Sequence, residues 1–295
     1  MEIQELESFV TIVQQGNFSK AAEKLGYTPA AVTIQIKKLE EELGVCLFDR
    51  LGRKVTLTSP GKIFYQNAVD ILNSITRARE AVDSTEKLQG ELYIGTIDSL
   101  SSFVMHDIIG DYHERYPSVK IKIVTDTIVE LMEKLDHNDL DLLYIADERR
   151  NIPQWVKVIE KEEACMFVAD KHHPLAEKSQ SCRDISLAEL LAYPFLLTEK
   201  DASYRQILDL QLEKRGYEIV PYLESTNPNL ILNMLPASDG ISLLPSYVVE
   251  KEIARGSLQA IPVSDTEISI WRQVFYHKNK WITKEMDAFI AMLNK

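Results

Sequence analysis

The sequence predicts an α/β protein with a helical N-terminal end. Three features indicate this fold: two short helices joined by a glycine turn, one long helix without glycine or proline inside it, and alternating strands and helices after residue 90. The 295 residues suffice for two or three domains. With 45% hydrophobic and 26% charged residues, the chain has the composition of a soluble globular protein.

Residues 17–44 carry the start and stop signals of two short helices. Ser19 suits the N-cap of a helix that ends at Leu25, and Gly26 suits the left-handed conformation that follows a helix. Thr28 is the expected N-cap of a second helix, which runs to about Leu43 and is ended by Gly44. This pattern is typical of a helix-turn-helix, whose second helix enters the major groove of DNA.

The second helix has one apolar and one mixed face. A solvated surface is the plain interpretation of the mixed face, but Ile34 argues against it because an isoleucine there has no core to fill. In a major groove, Ile34 and Ala30 would contact thymine methyl groups, while Thr33 and the lysines would bond bases or phosphates. The apolar stripe is Val32, Ile36, Leu39 and Leu43, and the opposite face is Ala30, Thr33, Ile34, Lys37 and Lys38.

A short hairpin is predicted after the second helix. Residues 47–50 and 55–58 are its expected strands, and the second of them alternates apolar and polar side chains. The tip between them is basic, with Arg50, Arg53 and Lys54. We expect this hairpin to be the wing of a winged helix-turn-helix, with its basic tip on phosphates or in a minor groove.

Residues 3–61 resemble the DNA-binding domain of LysR-type transcriptional regulators. The family pattern is matched by Phe18, Ala21, Ala22, Leu25, Ala31, Val32, Thr33, Gln35, Ile36, Leu39, Glu40, Leu43, Gly44, Leu47, Phe48, Arg50, Leu57, Thr58 and Gly61. The resemblance implies double-stranded promoter DNA as the partner. Many members carry a basic or polar residue in place of Ile34, so no base preference is transferred. The expected DNA contacts are Ser19, Thr28, Ala30, Thr33, Ile34, Gln35, Lys37, Lys38, Arg50, Arg53 and Lys54.

The net charge of −12 lies almost entirely outside the N-terminal segment. Residues 1–58 contain seven Lys and Arg against eight Asp and Glu, a net charge of −1, whereas residues 89–295 contain 22 against 33, a net charge of −11. Acidic residues of the first helix, Glu5 among them, are expected away from the groove face. We therefore expect modest non-specific affinity, reliance on dimerisation and steep salt dependence.

One helix is predicted from Gly61 to about Leu88. Its spacing favours pairing with a second copy, because two recognition helices must be held at a fixed distance. An amphipathic helix packed on its own domain is the alternative. The resemblance also implies a dimerising helix here, and tetramers built as dimers of dimers. The predicted seam steps by four and three through Phe64, Ala68, Ile71, Ile75, Ala78, Val82 and Thr85.

Beyond Gly90, short strands alternate with helices, as in βαβ units with a largely parallel sheet. Among the expected elements are a helix over 101–116 and a strand over 219–223. The stretches 173–176, 203–205 and 240–245 resemble the sensor half of the same family, which has two lobes like a type 2 periplasmic binding protein. We expect a winged helix-turn-helix domain at 1–58, a dimerising linker helix at 59–89, a first sensor lobe at 90–160 with 265–295, and a second lobe at 161–264.

Polar side chains follow several predicted strands of the sensor half. Ligands of α/β sheets bind beyond the carboxyl ends of strands, where helix N-termini offer amide donors. These side chains suit a small carboxylate or an amino acid-like metabolite, although plain helix caps would use the same residues. Asp98 and Glu199 would repel an anion or pair with an amino group. The resemblance implies effector contact at Ser99 above the others. The expected effector contacts are Asp98, Ser99, Ser101, Ser102, Thr198, Glu199, Thr226 and Asn227.

The sequence contains no pattern typical of catalysis or of a metal site. Residues 172–173 fit a solvated loop, and His106 and His113 are seven apart without a cysteine or carboxylate cluster. Glycine-rich phosphate loops and nucleophile elbows are absent, so we expect no enzyme and no cofactor. Three cysteines are typical of reduced thiols in a cytosol. Cys165 and Cys182 could still form a redox switch, as in peroxide-sensing relatives.

The sequence has no run of about 18 apolar residues and no secretory signal, so a cytoplasmic protein is expected. The predicted function is that of a LysR-type regulator, modulated by a small-molecule effector bound between two sensor lobes. RNA polymerase is a further expected partner. Two alternatives stay open. One is a solute-binding or enzymatic α/β protein with a helical N-terminus, and the other is a DNA-bound regulator that has no ligand or senses oxidation.

Overall fold

The N-terminal helices pack around one aromatic cluster. The computed structural model describes residues 1–49, 55–82, 88–181 and 185–293. Phe9 is fully buried at the centre of the cluster, with its ring 5.3 Å from the rings of Phe48 and Phe64. The elements are α1 (Ile3–Gln15), α2 (Phe18–Leu25), α3 (Pro29–Leu43) and the antiparallel strands β1 (Phe48–Asp49) and β2 (Thr56–Leu57).

The long helix α4 (Ser59–Val82) is packed against this domain. Its residues Val69 and Leu72 are buried in the N-terminal core. Near its start, a Cβ added to Gly61 would lie only 2.1 Å from the carbonyl oxygen of Leu47. The helix and the domain therefore form one packed unit.

Three parallel strands form one end of a larger sheet. Strand β3 (Gly90–Thr96) lies between β4 (Val119–Thr125) and β5 (Leu142–Asp147). Helix α5 (Asp98–Phe103) is followed directly by α6 (Met105–Arg115), and α7 (Ile128–Asp136) leads into β5.

Two long strands cross the middle of the sensor half in opposite directions. Strands β6 (Trp155–Asp170) and β11 (Ile268–His277) pair from Trp155 opposite His277 to Cys165 opposite Ile268. Strand β11 also pairs with β5, whereas β9 (Ser242–Pro245) and β10 (Leu258–Ile261) pair with β6. One seven-stranded sheet thus runs through the residues predicted as both lobes.

Most of the remaining elements pack on the far end of this sheet, whereas the last helix packs against α6 and β3 at the parallel end. Strands β7 (Leu196–Leu197) and β8 (Leu223–Glu224) form a small parallel pair. The helices are α8 (Pro174–Ser181), α9 (Leu187–Leu190), α10 (Ser203–Glu213), α11 (Pro228–Met234), α12 (Ser246–Arg255) and α13 (Lys284–Leu293).

The structure departs from the expected elements at three places. The helix expected over 101–116 is broken at Val104, whose φ of −119° is far from the helical value. Only the end of the strand expected over 219–223 forms, because only that end reaches β7. The sheet is mixed rather than largely parallel, since β6 and β11 carry the chain between its two ends in opposite directions.

Candidate DNA-binding surface and effector cleft

Local caps fix the turn between α2 and α3. Asn17 caps α2, and its Oδ1 accepts a hydrogen bond from the backbone N–H of Ser19 at 2.7 Å. The prediction of Ser19 as the N-cap is therefore wrong, because Asn17 is extended and its side chain reaches the first-turn amides. Gly26 has a φ of 70°, and Thr28 Oγ1 accepts from the N–H of Ala31 at 3.2 Å, which confirms both of these predicted roles.

The faces of α3 have the predicted environments. Ile34 is 67% exposed although it is apolar. The Thr33 hydroxyl donates to the carbonyl of Pro29 at 2.8 Å, so Thr33 offers outward only its methyl group and an acceptor oxygen. Of the predicted apolar stripe, Val32, Ile36 and Leu39 are buried and Leu43 is half-buried, and the exposed residues are Ala30, Thr33, Ile34, Lys37 and Lys38.

Helix α1 holds two of the predicted DNA-binding residues in place. Gln35 is half-buried, and its Oε1 accepts a hydrogen bond from Ser8 Oγ at 2.5 Å. Lys38 Nζ lies 2.8 Å from Oε1 of the buried Glu5, so Glu5 is next to this face and not away from it as expected. Burial raises the pKa of Glu5, but hydrogen bonds from Lys38 and from the N–H of Glu2 outweigh it, and the net pKa is below its ordinary value. Glu5 therefore stays ionised and orients the Lys38 amine.

Glu40 joins α3 to the wing. Its buried Oε1 accepts hydrogen bonds from the N–H groups of Leu47 at 2.7 Å and Phe48 at 3.2 Å. The Leu47 carbonyl accepts from the N–H of Thr58, and Thr58 Oγ1 accepts from the N–H of Gly61, both at 3.0 Å. The recognition helix, both ends of the wing and the start of α4 are thus fixed at one junction. The predicted wing-tip residues, Arg50, Arg53 and Lys54, lie outside the described residues.

The predicted seam of α4 is covered in its first half and uncovered in its second half. Phe64 and Ala68 pack into the N-terminal core, as in the alternative interpretation, because this half of the helix must cover its own domain. In the second half, Ile71 is 37% exposed, and together with Ile75 and Ala78 it lines a shallow groove of about 370 Å³, which we call the free face of α4. Of the other seam positions, Thr85 lies outside the described residues.

Side chains from both predicted lobes meet at Ser99. Ser99 Oγ, in α5, lies 2.9 Å from the hydroxyl of Tyr247, which is 148 residues away in α12. Burial raises the pKa of Tyr247, and the hydrogen bond with Ser99 offsets only part of this rise, so the phenol stays neutral. A second contact of this kind joins the Ser203 hydroxyl, at the start of α10, to Asp147 at the end of β5. Asp147 also pairs with Arg150.

The eight predicted effector residues have different environments. Thr198 is buried, whereas Asp98, Ser102 and Thr226 are exposed. The side chain of Asn227 accepts from the N–H of Asn229 at 2.9 Å and so acts as a helix cap. The remaining residues, Ser99, Ser101 and Glu199, are half-buried. Among the contacts of the described residues, Ser99 is the one of the eight whose side chain bonds across to the other lobe.

Sequence reasoning missed Tyr247 and Asp147. Asp147 ends a buried strand, so the rule that places ligands beyond strand ends could have included it. Tyr247 follows the buried strand at 242–245, but no local signal distinguishes it from a core tyrosine.

The cysteines do not favour a redox switch. Burial raises the pKa of the Cys165 thiol, so it stays protonated and is a poor nucleophile. Cys182 lies outside the described residues, and Cys46 is exposed near the end of α3. In the part of the chain that the structure describes, no three His, Cys, Asp or Glu side chains come together to hold a metal ion. No helix in that part is long and apolar enough to cross a membrane.

A winged helix-turn-helix, a helix with a free apolar face and a two-part α/β domain together define a DNA-binding regulator with a sensor domain. The family models agree. Residues 3–62 match the model described as bacterial regulatory helix-turn-helix protein, lysR family, and residues 85–295 match the LysR substrate binding domain. The chain belongs to the LysR family of transcriptional regulators. It is a DNA-binding regulator whose activity is modulated by a small molecule bound between the two sensor lobes.

Relatives and solved structures cover the whole chain. The HTH-type transcriptional regulator YwqM of Bacillus subtilis is 31% identical over 100% of this chain and 99% of its own length. GltR of the same organism, also an HTH-type transcriptional regulator, is 28% identical over 99% and 95%. A full-length OxyR variant from Pseudomonas aeruginosa has a TM-score of 0.62 at 21% identity, covering 100% of this chain and 95% of its own. Full-length BenM has a TM-score of 0.56 at 23% identity, covering 100% and 96%. At these identities the two structures support the fold alone.

Proposed function

We propose that α3 enters the major groove of promoter DNA with Ile34 against base edges. The position of Ile34 carries this proposal, because it is 67% exposed on the outer face of the second helix of the helix-turn-helix, the helix that such domains place in the major groove. The side chain fits beside thymine methyl groups, with Ala30 and Thr33 on the same face. Base contacts of this kind set sequence preference, whereas contacts to phosphates set register.

The surrounding polar residues would bind the DNA backbone. Lys38 is oriented by Glu5, and Lys37 is exposed with its Nζ 3.5 Å from Glu41. Gln35, Ser19 and Thr28 complete the described part of this surface. For Arg50, Arg53 and Lys54, the support remains the sequence pattern of the wing.

A second copy of the chain would cover the free face of α4. Two regulators joined there place their recognition helices at a constant separation, because α4 is locked to the wing junction. We assign residues 1–58 to the DNA-binding domain and 59–89 to the dimerising helix. A dimer of dimers is the assembly that family resemblance supports.

The effector would bind between the lobes at 90–160 with 265–295 and at 161–264. A small carboxylate or an amino acid-like metabolite would form hydrogen bonds there that replace the Ser99–Tyr247 and Asp147–Ser203 contacts. The lobes would then shift, and the spacing of the paired DNA-binding domains would change with them. The output would be an altered encounter with RNA polymerase in the cytoplasm, without catalysis by this chain.

Fluorescence anisotropy with the DNA upstream of the protein's own gene tests the groove assignment. Ile34→Ala should reduce the preference for this DNA over a shuffled sequence by about three- to tenfold, because one apolar base contact is lost. Val129→Ala is the matched control, since Val129 is a β-branched residue that is also 67% exposed but lies in the sensor half. An unchanged preference in Ile34→Ala would contradict the proposal.

A further inference from the structure

A cavity of about 820 Å³ lies beside β6 and is lined by Tyr247, which forms one of the two contacts that join the lobes. It is lined by Phe103, Ile108, Tyr144, Tyr247, Arg272 and Met292, among others, and we name it the hinge cavity. Its size is that of a small-molecule site. None of the eight predicted effector residues lines it. The cavity therefore adjoins the cleft described above and shares Tyr247 with it, but none of the predicted effector residues.

Arg272 forms the polar floor of the hinge cavity. Its Nε lies 2.6 Å from a carboxylate oxygen of Glu163, and its Nη1 donates to the Tyr144 hydroxyl at 3.3 Å. The guanidinium also lies 5.7 Å from the ring centroid of Tyr247. These contacts of the described residues use Nε and Nη1, and a guanidinium has five N–H donors. Nη2 is left to bond a ligand carboxylate, while Glu163 is also bonded by Ser246.

The lining of the hinge cavity carries charges of both signs. Lys161, Lys251 and Arg272 are positive, whereas Asp107, Glu160, Glu163 and Glu250 are negative. A ligand that carries both charges is complementary to such a lining. Glu160 is engaged by Arg149 and Lys157, and Asp107 by Lys251. Glu250 has no ion pair among the described contacts and lies one helical turn after Tyr247, on the same face of α12.

We propose that the hinge cavity binds an amino acid with an apolar side chain. Its carboxylate would bond Arg272, its ammonium group would pair with Glu250, and its side chain would pack on Phe103 and Ile108. Such an occupant would touch the ring of Tyr247, whose hydroxyl bonds Ser99 in the cleft. Binding at the hinge would thus restrain the tyrosine that joins the two lobes. This second site goes beyond the effector cleft of the proposed function.

Isothermal titration calorimetry of the full-length protein tests the chemistry of the ligand. The probes are L-phenylalanine, 3-phenylpropionate, which lacks the ammonium group, and 2-phenylethylamine, which lacks the carboxylate. L-Phenylalanine should bind saturably with one site per chain, and each analogue should bind at least about fivefold more weakly. Absence of saturable binding, or equal affinity for 3-phenylpropionate, would overturn the proposal.

Four variants test the location. Ile108→Trp should fill the cavity and abolish binding, while Val129→Trp, the same change at an exposed site outside the cavity, should leave it intact. Glu250→Gln, at an exposed position that does not endanger folding, should weaken L-phenylalanine about fivefold and leave 3-phenylpropionate unaffected. Binding that survives Ile108→Trp but is lost in Thr226→Ala would place the amino acid in the cleft. That result would refute the amino acid site in the hinge cavity and would not contradict the proposed function.

Discussion

Gly61→Ala should disrupt the junction between the wing, the recognition helix and α4. Without a clash, alanine would stabilise a helix by about 1 kcal/mol relative to glycine. The new Cβ, however, would lie 2.1 Å from the Leu47 carbonyl oxygen, more than about 1 Å inside a normal carbon–oxygen contact. Moving that carbonyl breaks its hydrogen bond with Thr58 and strains the one from Leu47 to Glu40. Each is worth about 1 to 1.5 kcal/mol, so with lost packing we expect a net destabilisation of about 3 kcal/mol.

Thermal unfolding of the full-length protein, followed by tryptophan fluorescence, measures this effect because Trp281 packs against the N-terminal core. For a domain of this size, about 3 kcal/mol lowers the melting temperature by more than about 10 °C. Gly110→Ala is the matched control, since Gly110 is also in a helix but has nothing within 4 Å of an added Cβ, and it should unfold no earlier than the parent protein. DNA affinity, measured by anisotropy, should fall for Gly61→Ala only. A melting temperature within about 2 °C of the parent, with normal DNA affinity, would refute the close approach.

Three further predictions concern other parts of the molecule. Because the pKa of Glu5 is lowered in the folded protein, its stabilising effect is present above its ordinary value of 4.5 and is lost as the pH falls through the lowered value. Thermal melts at stepped pH should therefore show a weaker acid dependence for Glu5→Gln than for the parent, and identical profiles would contradict this role. Ile71→Glu puts a charge on the free face of α4 and should weaken dimerisation at least about tenfold in sedimentation experiments, whereas an unchanged dimer would mean that this face is not the interface. Tyr247→Phe removes the bond to Ser99 and should lower the stability of the sensor half by about 1 kcal/mol in denaturant melts, and no change would show that this bond contributes nothing.

The helix-turn-helix was predictable because its signals are local. A cap at Thr28, a proline after it and a left-handed Gly44 specify α3 from end to end, and the structure has it over Pro29–Leu43. The buried and exposed faces of α3 also follow from helical spacing alone. The prediction of Ser19 as the cap is wrong because both Asn17 and Ser19 have suitable side chains, and only the backbone conformation distinguishes them.

Strand β6 shows where local signals end. It is 16 residues long, but apolar and polar residues do not alternate regularly in its first half. Its partner β11 lies about a hundred residues further along the chain. Its length is therefore set by a pairing that no window of sequence contains. The same holds for the wing junction, where Glu40 is a charged residue in a helix until folding places the Leu47 amide beside it.

The sequence by itself determined the family, the recognition helix and the presence of an apolar stripe on α4, since spacing along one helix or turn carries each of these. Only the tertiary structure decided which part of that stripe stays free and which residue faces Ser99. Helical periodicity predicts that a face is apolar but not what covers it. Here Phe64 and Ala68 pack in the N-terminal core, whereas Ile71 is exposed. Likewise, Ser99 and Tyr247 meet because a mixed sheet returns the chain to the same place, and that return depends on packing across the whole domain.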